Sequence, residues 1–430
     1  MVGQAVSRDL QKCTLSARAD KANKFGRKCF QWGLHPNRIF VTKQNAIGGK
    51  PPPMNSLLHL LGTFGQILQN QLFPRLNEEL GTMGEHHEQF VRALALLQMD
   101  GFVAVRHGRG RRAHDRAKIA RAFLAKAVFN FPNTRALLDR LAHDAVLRRL
   151  CGWETVAQIP DETVFSRAFA EFTRNQFAQQ VHAAVIQRTQ SERLVGHIMR
   201  DSSAIEVREK PGPKPKPVKA GRRLHRKAGT AKRPEQMTRL DRQCFGTMTV
   251  EEMWAELPRD CDVGCKLDSR GNKYRWSGYK LHVDVADGQI PISCALTSAS
   301  VNDGQVAIPL MLTTHKRVGT SFYDLMDTGY DATAIREKSR QLGHVPIIPF
   351  QKRGSEKVEL APHEKIRLQE RTAVERVFSR LKDEYGATSV RVRGWAKVMT
   401  HLMFGILALT ADQLLRWSCA DPPQTSEAPA

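Results

Sequence analysis

The clearest arrangement of side chains able to do chemistry lies between positions 371 and 382. Arg371, Glu375 and Lys382 are separated by four and seven residues, and on an α-helix these separations place all three side chains on one face. The opposite face carries a predicted buried stripe of Val374, Val377, Phe378 and Leu381. A carboxylate held between two cations suits a metal ligand that works beside a phosphate backbone. An ordinary amphipathic helix with i,i+4 ion pairs is the alternative interpretation.

Two further carboxylates upstream could complete a metal site. A two-metal phosphoryl-transfer site needs several acidic ligands around cations roughly 3.5–4 Å apart. Asp201 follows a short apolar run, and Asp327 ends an apolar strand before a turn at Gly329; the carboxyl ends of buried strands are where α/β folds place chemistry. Asp324 is the rival ligand, but it lies inside the predicted strand. Asp331 is predicted to cap the next helix, over residues 332–342.

These acids and their surroundings resemble the DDE triad of bacterial insertion-sequence transposases. Arg371, Glu375 and Lys382 match three elements of that family's Tyr-x2-Arg-x3-Glu-x6-Lys signature, whereas Leu368 occupies the tyrosine position and Arg367 is the candidate substitute for its phosphate contact. The resemblance covers about residues 53–418. Its further matches are Gly278-Tyr-Lys-Leu-His-Val, Ala299-Ser-Val-Asn-Asp, Asp327-x-Gly-Tyr-Asp and the helical segment around Ile159-Pro-Asp-Glu-Thr-Val-Phe-Ser-Arg.

The resemblance implies an α/β fold with a ribonuclease H-like mixed sheet and flanking helices. It also implies that Asp201, Asp327 and Glu375 are catalytic and bind two Mg²⁺ (or Mn²⁺) ions, with Arg371 and Lys382 holding DNA phosphates. Double-stranded DNA, as element ends and as target, is the expected partner, and a dimer is expected on DNA. The sequence has no Gly-x4-Gly-Lys-Ser/Thr loop, so ATP is not expected.

The charge balance favours a polyanionic partner independently of the motifs. The chain has 66 Lys+Arg against 43 Asp+Glu, a formal net charge of +23, and such a surplus is typical of nucleic-acid binding. The excess is concentrated in a Pro-rich insertion over residues 207–242, which contains Arg222 and Arg223. We expect this insertion to neutralise phosphates; a plain solvated linker is the alternative.

The chain divides into four predicted regions. Residues 1–52 form a basic arm and residues 419–430 a tail, both predicted to be disordered. Residues 53–190 are predicted to form an all-helical DNA-binding domain, with Arg167 and Arg174 directed at DNA. Residues 191–418 are predicted to form the catalytic domain, in which Trp276 either stacks on an unpaired base or packs in the core.

The cysteines and the apolar segments bear on the compartment. Eight scattered cysteines without a disulfide pattern, and no secretion signal, predict reduced thiols and a cytoplasmic protein. The resemblance implies that the protein is bacterial and nucleoid-associated. The apolar stretch over residues 402–411 is too short to cross a bilayer and predicts a core helix, so no membrane partner is expected.

Two other functions compete with an active transposase. One is a catalytically silent DNA-binding protein derived from a transposase, which a metal-dependent nicking assay would reveal. The other is a structure-specific nuclease of the same fold, which would cut DNA but fail to join strands.

Overall fold

The computed structural model describes residues 68–103, 113–213, 237–246, 248–267, 271–351 and 359–419. They form two units. The second unit contains Ile186–Asp383 and Ala387–His401, and the first contains the other described residues. The predicted arm, the tail beyond position 419, and Arg222 and Arg223 lie outside the described residues.

The first unit is helical throughout its described residues. After a π-helical turn at Leu68–Leu72, the helices are α1 Phe73–Leu80, α2 Glu85–Leu97, α3 Arg116–Val128, α4 Thr134–His143, α5 Ala145–Cys151, α6 Glu162–Arg174 and α7 Phe177–Gln190, which runs on into the second unit. Aromatic rings fill its core. The Phe123 ring lies 5.1–6.3 Å, between centroids, from the rings of Phe165, Phe169, Phe172 and Phe404.

Three polar residues that precede helices differ in whether they cap the helix N-terminus. Asn133 caps α4, since its side chain accepts a hydrogen bond from the Ala136 amide at 2.8 Å. Asp161 stands at the N-cap of α6 but makes no side-chain cap bond. The predicted capping by Asp331 is wrong, because its carboxylate instead binds the Arg336 guanidinium at 2.9 Å.

The second unit is built on a mixed sheet of six strands. These are β1 Leu194–Glu206, β2 Asp262–Leu267, β3 Lys273–Ala286, β4 Ile290–Ser298, β5 Thr320–Leu325 and β6 Val345–Ile347. The order is β2-β3-β1-β5-β6, with β4 also paired to β3. β1 runs antiparallel to β3 and parallel to β5. The predicted mixed sheet is confirmed, and β2 was not predicted. β3 and β4 form a hairpin through Asp287 and Gly288.

Strand β3 changes its outer partner at Gly278. Residues before this point pair with β2, and residues after it pair with β4. Gly278 has φ +152°, and a Cβ there would lie 2.1 Å from the Ile205 carbonyl oxygen of β1. Only glycine permits this close approach, which explains the residue in the Gly-Tyr-Lys motif.

Seven helices accompany the sheet. They are α8 Arg239–Phe245, α9 Val250–Ala255, α10 Gly304–Arg317, α11 Thr333–Gln341, α12 Pro362–Leu368, α13 Thr372–Asp383 and α14 Trp395–Cys419, whose C-terminal part belongs to the first unit. α13 buries its predicted apolar stripe, Val374, Val377, Phe378 and Leu381. α10 and α11 pack with α8 around a core that includes Ile308, Met311, Met326, Tyr330 and Ile335.

Helix α14 contains the longest apolar segment of the described chain. Its residues Trp395–Trp417 have a mean hydropathy of 1.4, so length and composition alone would allow it to span a membrane. However, 78% of the segment's most apolar window is buried inside the protein. Such burial is typical of a core helix, which is the structure that the sequence predicts.

Candidate active site

Strand β1 positions Asp201. The sequence placed this residue just after a short strand, but β1 continues to Glu206, so Asp201 lies inside it. The small residues Ser202 and Ser203 extend the strand because they pair with His282 and Leu281 of β3. On its other side β1 pairs with β5 only as far as Met199, opposite Leu325. Asp201 therefore projects beyond the end of β5, where its carboxylate has room for a ligand.

A turn after β5 positions Asp327. The strand ends at Leu325, and the Asp327 carboxylate accepts a hydrogen bond from the Gly329 amide at 2.8 Å, which caps the 3₁₀ turn Thr328–Tyr330. Continuing the β1–β5 register by two places brings Asp327 beside Asp201. The rival Asp324 lies inside the strand, as predicted, and is 1% exposed.

Arg371 joins the helix carboxylate to the strand carboxylate. One guanidinium nitrogen lies 2.9 Å from Asp201 Oδ2, and the other lies 2.7 Å from Glu375 Oε1. The i,i+4 ion pair considered as the alternative for this helix is therefore present. The same arginine nevertheless gathers two of the three predicted catalytic acids around one positive charge.

The electrostatics of the two aspartates differ from those of ordinary surface carboxylates. Burial, and to a smaller extent the nearby charge of Asp327, raise the pKa of Asp201 to about 6 despite the opposing effects of the Ser202 amide and Arg371. Burial also raises the pKa of Asp327, and the charge of Asp303 acts in the same direction. Partly dehydrated acids that repel one another would gain from an added cation.

The donor chemistry of this site fits a hard divalent cation. Asp201, Asp327 and Glu375 supply only carboxylate oxygens, the ligands that Mg²⁺ and Mn²⁺ prefer. The Arg371 guanidinium already holds a cation's place between two of them. Across the part of the chain that the structure describes, no group of three or more His, Cys, Asp or Glu side chains stands close enough to hold a metal. In this structure the three carboxylates are thus not gathered into one cluster, and Arg371 bridges two of them.

A basic patch lies further along the same helix. Burial lowers the pKa of Lys382, and the charge of Lys266 on β2 lowers it further, whereas Glu206 at the end of β1 opposes both. The length of β1 from Asp201 to Glu206 is roughly 16 Å. The helical segment from Arg371 to Lys382 has about the same length. α13 thus runs from the acids to this patch. Lys266 was not among the predicted DNA-binding residues, because β2 was not predicted from the sequence.

The other predicted DNA-binding residues have different surroundings. Arg167 and Arg174 are exposed on α6. Arg367, the candidate substitute for the signature tyrosine, lies 4.2 Å from the centroid of the Tyr323 ring.

Trp276 requires a correction. Only 5% of it is exposed, and its indole N–H donates to the Tyr279 carbonyl at 3.0 Å. A Cβ added to Gly264 would lie 2.2 Å from the indole, so the ring fills the space above this glycine of β2. Trp276 is a packing residue, and base stacking is wrong for it because no face of the ring is free.

Two family comparisons match this chain. Residues 262–411 match the family described as "Transposase DDE domain", a segment that contains Asp327 and Glu375 but not Asp201. Residues 71–171 match the family described as "Transposase domain (DUF772)", which includes Arg167 and covers the helices α1 to α5. Together the matched segments span more than half of the chain. No curated protein and no solved structure matches it.

Proposed function

Since the chain belongs to the insertion-sequence DDE transposases, an enzyme family that cuts and joins DNA, we propose that its active site is formed by Asp201, Asp327 and Glu375. The proposed reaction is in-line transesterification of DNA phosphodiesters at the element ends. Cleavage exposes 3′-hydroxyls, which then attack target DNA without a covalent protein intermediate. The observation that carries the proposal is the pairing of Arg371 with both Asp201 and Glu375.

The three acids are proposed to hold two Mg²⁺ or Mn²⁺ ions. Bound ions of this kind lower the pKa of an attacking water or 3′-hydroxyl and stabilise the leaving oxygen. Asp201 is the proposed shared ligand because it stands in a central strand of the sheet, next to Asp327 on one side and within reach of α13 on the other. The excess of negative charge at Asp201 and Asp327 supports this assignment.

Arg371 is proposed to exchange partners during the reaction. In the free protein its guanidinium binds two carboxylates, which are also the proposed metal ligands. With divalent ions held by those carboxylates, the Arg371 guanidinium would be free to bind a DNA phosphate, for which its planar fork is well suited. Lys382 and Lys266 then hold phosphates further along the DNA strand. The negative charge of the DNA relieves the repulsion between the two lysines.

DNA recognition is proposed to involve two further parts of the chain. The helical first unit presents Arg167 and Arg174, and the basic insertion, with Arg222 and Arg223, adds phosphate neutralisation. Deleting residues 210–233 should flatten the salt dependence of DNA binding; an unchanged slope would mean that the insertion contacts no phosphates. The pairing of two element ends is proposed to require a dimer.

The direct test is an assay with DNA that contains the reading frame and its flanking sequence. Purified protein and Mg²⁺ are incubated with a supercoiled plasmid that carries this DNA, next to a plasmid lacking the flanks. We expect nicks at the borders of the element and, with target DNA added, joined products. Metal-dependent cutting without joining would favour a structure-specific nuclease. DNA binding with no cutting would favour a catalytically silent DNA-binding protein.

A further inference from the structure

Two stacked rings lie on the face of the sheet that carries Asp201. His197 of β1 pairs with Tyr323 of the parallel strand β5, and the two ring centroids are 5.5 Å apart with an angle of 24° between the planes. His197 precedes Asp201 by four residues, so both side chains are on one face of β1, roughly 13 Å apart along the strand. This pair of rings, the ring platform, is therefore separate from the three proposed catalytic acids.

A carboxylate of the β3–β4 hairpin fixes the orientation of the His197 ring. Asp287 Oδ1 lies 2.9 Å from His197 Nδ1, and Asp287 Oδ2 accepts hydrogen bonds from the backbone amides of Gly196 and His197 at 2.6 and 3.0 Å. Burial opposes ionisation of Asp287, but the hydrogen bonds keep its pKa below the ordinary value. Because an ionised carboxylate only accepts hydrogen bonds, Nδ1 of His197 carries the proton, and Nε2 of the neutral ring presents a lone pair.

The Arg367 guanidinium contacts both rings of the platform. Its Cζ lies 4.2 Å from the centroid of the Tyr323 ring, within the range of a cation–π interaction, and its Nη1 lies 3.4 Å from His197 Nε2. A guanidinium has only donors, so Arg367 donates to the lone pair of His197. Asp287, His197 and Arg367 thus form a series in which every donor meets an acceptor.

These contacts attach a helix that has no apolar anchor of its own. None of the seven residues of α12, all of which the structure describes, is buried. The 3₁₀ turn Gln369–Arg371 joins α12 directly to α13, and the buried stripe of α13 begins only after this turn. Arg367 therefore holds the chain against the sheet one helical turn before Arg371.

Arg367 and Arg371 differ in the partners that they bind. Arg371 pairs with Asp201 and Glu375, which are proposed metal ligands, so this contact is expected to change when ions are held. The rings that Arg367 contacts are not proposed ligands, so its contacts need not change. The attachment of Arg367 can persist in the ion-loaded site, where the attachment of Arg371 is given up.

We propose that Arg367 is a positioning residue, which rests on the ring platform and thereby holds the start of α13, with Glu375, beside the two catalytic aspartates. The inference rests on the proposed function, since it concerns the placement of the same acids. Arg367 then remains bound to the protein during the reaction and does not replace the phosphate contact of the signature tyrosine.

The test compares Tyr323→Leu, which removes the ring face beneath Arg367, with Tyr323→Phe, which keeps it. Phe350→Leu is the matched control, because the Arg336 guanidinium lies at the same distance, 4.2 Å, from the Phe350 ring. In single-turnover cleavage of element-end DNA with Mg²⁺, Tyr323→Leu should be slower by about tenfold or more at saturating DNA, with an unchanged Kd for the DNA. Tyr323→Phe and Phe350→Leu should cleave at the wild-type rate.

Hydrogen exchange in the metal-free protein provides a readout that does not require cleavage. Backbone amides of residues 363–371 should exchange about two- to fivefold faster in Tyr323→Leu than in the wild type, which corresponds to the loss of one cation–π interaction. Arg367→Gln should behave like Tyr323→Leu in this measurement. Tyr323→Phe and Phe350→Leu should exchange like the wild type.

Three results would overturn the inference. The first is cleavage by Tyr323→Leu that is no slower than cleavage by Phe350→Leu. The second is an equal loss in Tyr323→Phe, which would assign the role to the hydroxyl. The third is weaker DNA binding by Arg367→Gln without slower cleavage at saturation, which would make Arg367 a phosphate contact. If the wild type never cuts DNA, the proposed function fails, and the exchange comparison still decides: faster exchange in Tyr323→Leu supports the attachment by Arg367, and equal exchange overturns it.

Discussion

Arg200 and Asp201 are consecutive residues of β1, yet the charge of Arg200 is fully paired and that of Asp201 is not. Successive side chains of a strand point to opposite faces of the sheet. Arg200 is 1% exposed and makes two hydrogen bonds to Asp284 of β3, at 2.7 and 2.6 Å. Asp284 also accepts from the Thr314 hydroxyl of α10 at 2.6 Å. This face pairs its charges fully and excludes water.

The Asp201 face leaves its charges unbalanced. Asp201 and Asp327 share the influence of a single guanidinium, and Glu375 takes one of that arginine's bonds while remaining 54% exposed. The comparison teaches that buried charge alone does not indicate a functional site. Burial raises the pKa of the structural Asp284 as well, so the distinguishing feature is the pairing. Asp284 is paired with Arg200, whereas neighbouring acids with too few cations are prepared to receive a ligand.

The largest expected difference between the two faces concerns catalysis. Asp327→Ala and Glu375→Gln should each reduce metal-dependent strand cleavage at least about a hundredfold, because each removes a proposed ligand to the ions that stabilise the transition state. Binding of element-end DNA and the melting temperature should change little. Metal-dependent cleavage by both variants at the wild-type rate would remove these residues from the catalytic role.

Substitutions in the Arg200–Asp284 pair, on the other face of the sheet, should change the stability of the protein. Arg200→Met leaves Asp284 buried without its partner, and we expect a loss of about 3–5 kcal/mol in the free energy of unfolding, measured by urea titration. The double variant Arg200→Met/Asp284→Leu should recover much of that loss, because it removes both buried charges. A negligible effect of Arg200→Met would contradict the structural role of the pair.

Substitution of Arg371 should affect DNA binding and cleavage more than stability, since this residue is partly exposed and pairs with the acids. Arg371→Gln should weaken the binding of element-end DNA at low salt and slow cleavage, because a phosphate contact is lost, while costing about 1 kcal/mol of stability or less. Arg376→Gln, exposed on α13 five residues further along the chain, is the matched control. Equal behaviour of the two variants would mean that Arg371 has no special contact.

The last expected effect is a gradual dependence of the folding stability on pH. The folded-state pKa of Asp201 is about 6, above the value of about 3.9 in an unfolded chain. The folded state therefore binds more protons between these values, and metal-free protein should lose stability as the pH rises from 4 to 6, by at most about 3 kcal/mol from this group. Asp201→Asn should remove that part of the pH profile; a profile unchanged by the substitution would contradict the raised pKa.

The sequence allowed local features to be predicted wherever one periodicity dominated. The apolar stripe of α13 and the position of Asp327 beyond the strand that contains Asp324 both follow from spacing alone. By contrast, Ser202 and Ser203 suggested the end of β1, although pairing with β3 extends the strand. β2 was missed because its polar residues, Asp262 and Lys266 among them, do not form an apolar run.

Long-range pairings could not be predicted from the sequence. Arg200 and Asp284 are 84 residues apart, and only the antiparallel register of β1 and β3 brings them together. The sequence could therefore suggest the catalytic acids by type and order, but it could not show which charges the fold neutralises.

The central claim is that Asp201, Asp327 and Glu375 converge on divalent ions once Arg371 is displaced. A crystal of the wild-type protein soaked in Mn²⁺, with its anomalous signal measured, tests this most directly. The account predicts anomalous density within about 2.0–2.6 Å of oxygens from all three carboxylates, with Arg371 moved away from Asp201. Arg371 still bridging Asp201 and Glu375, with manganese bound elsewhere or not at all, would contradict it.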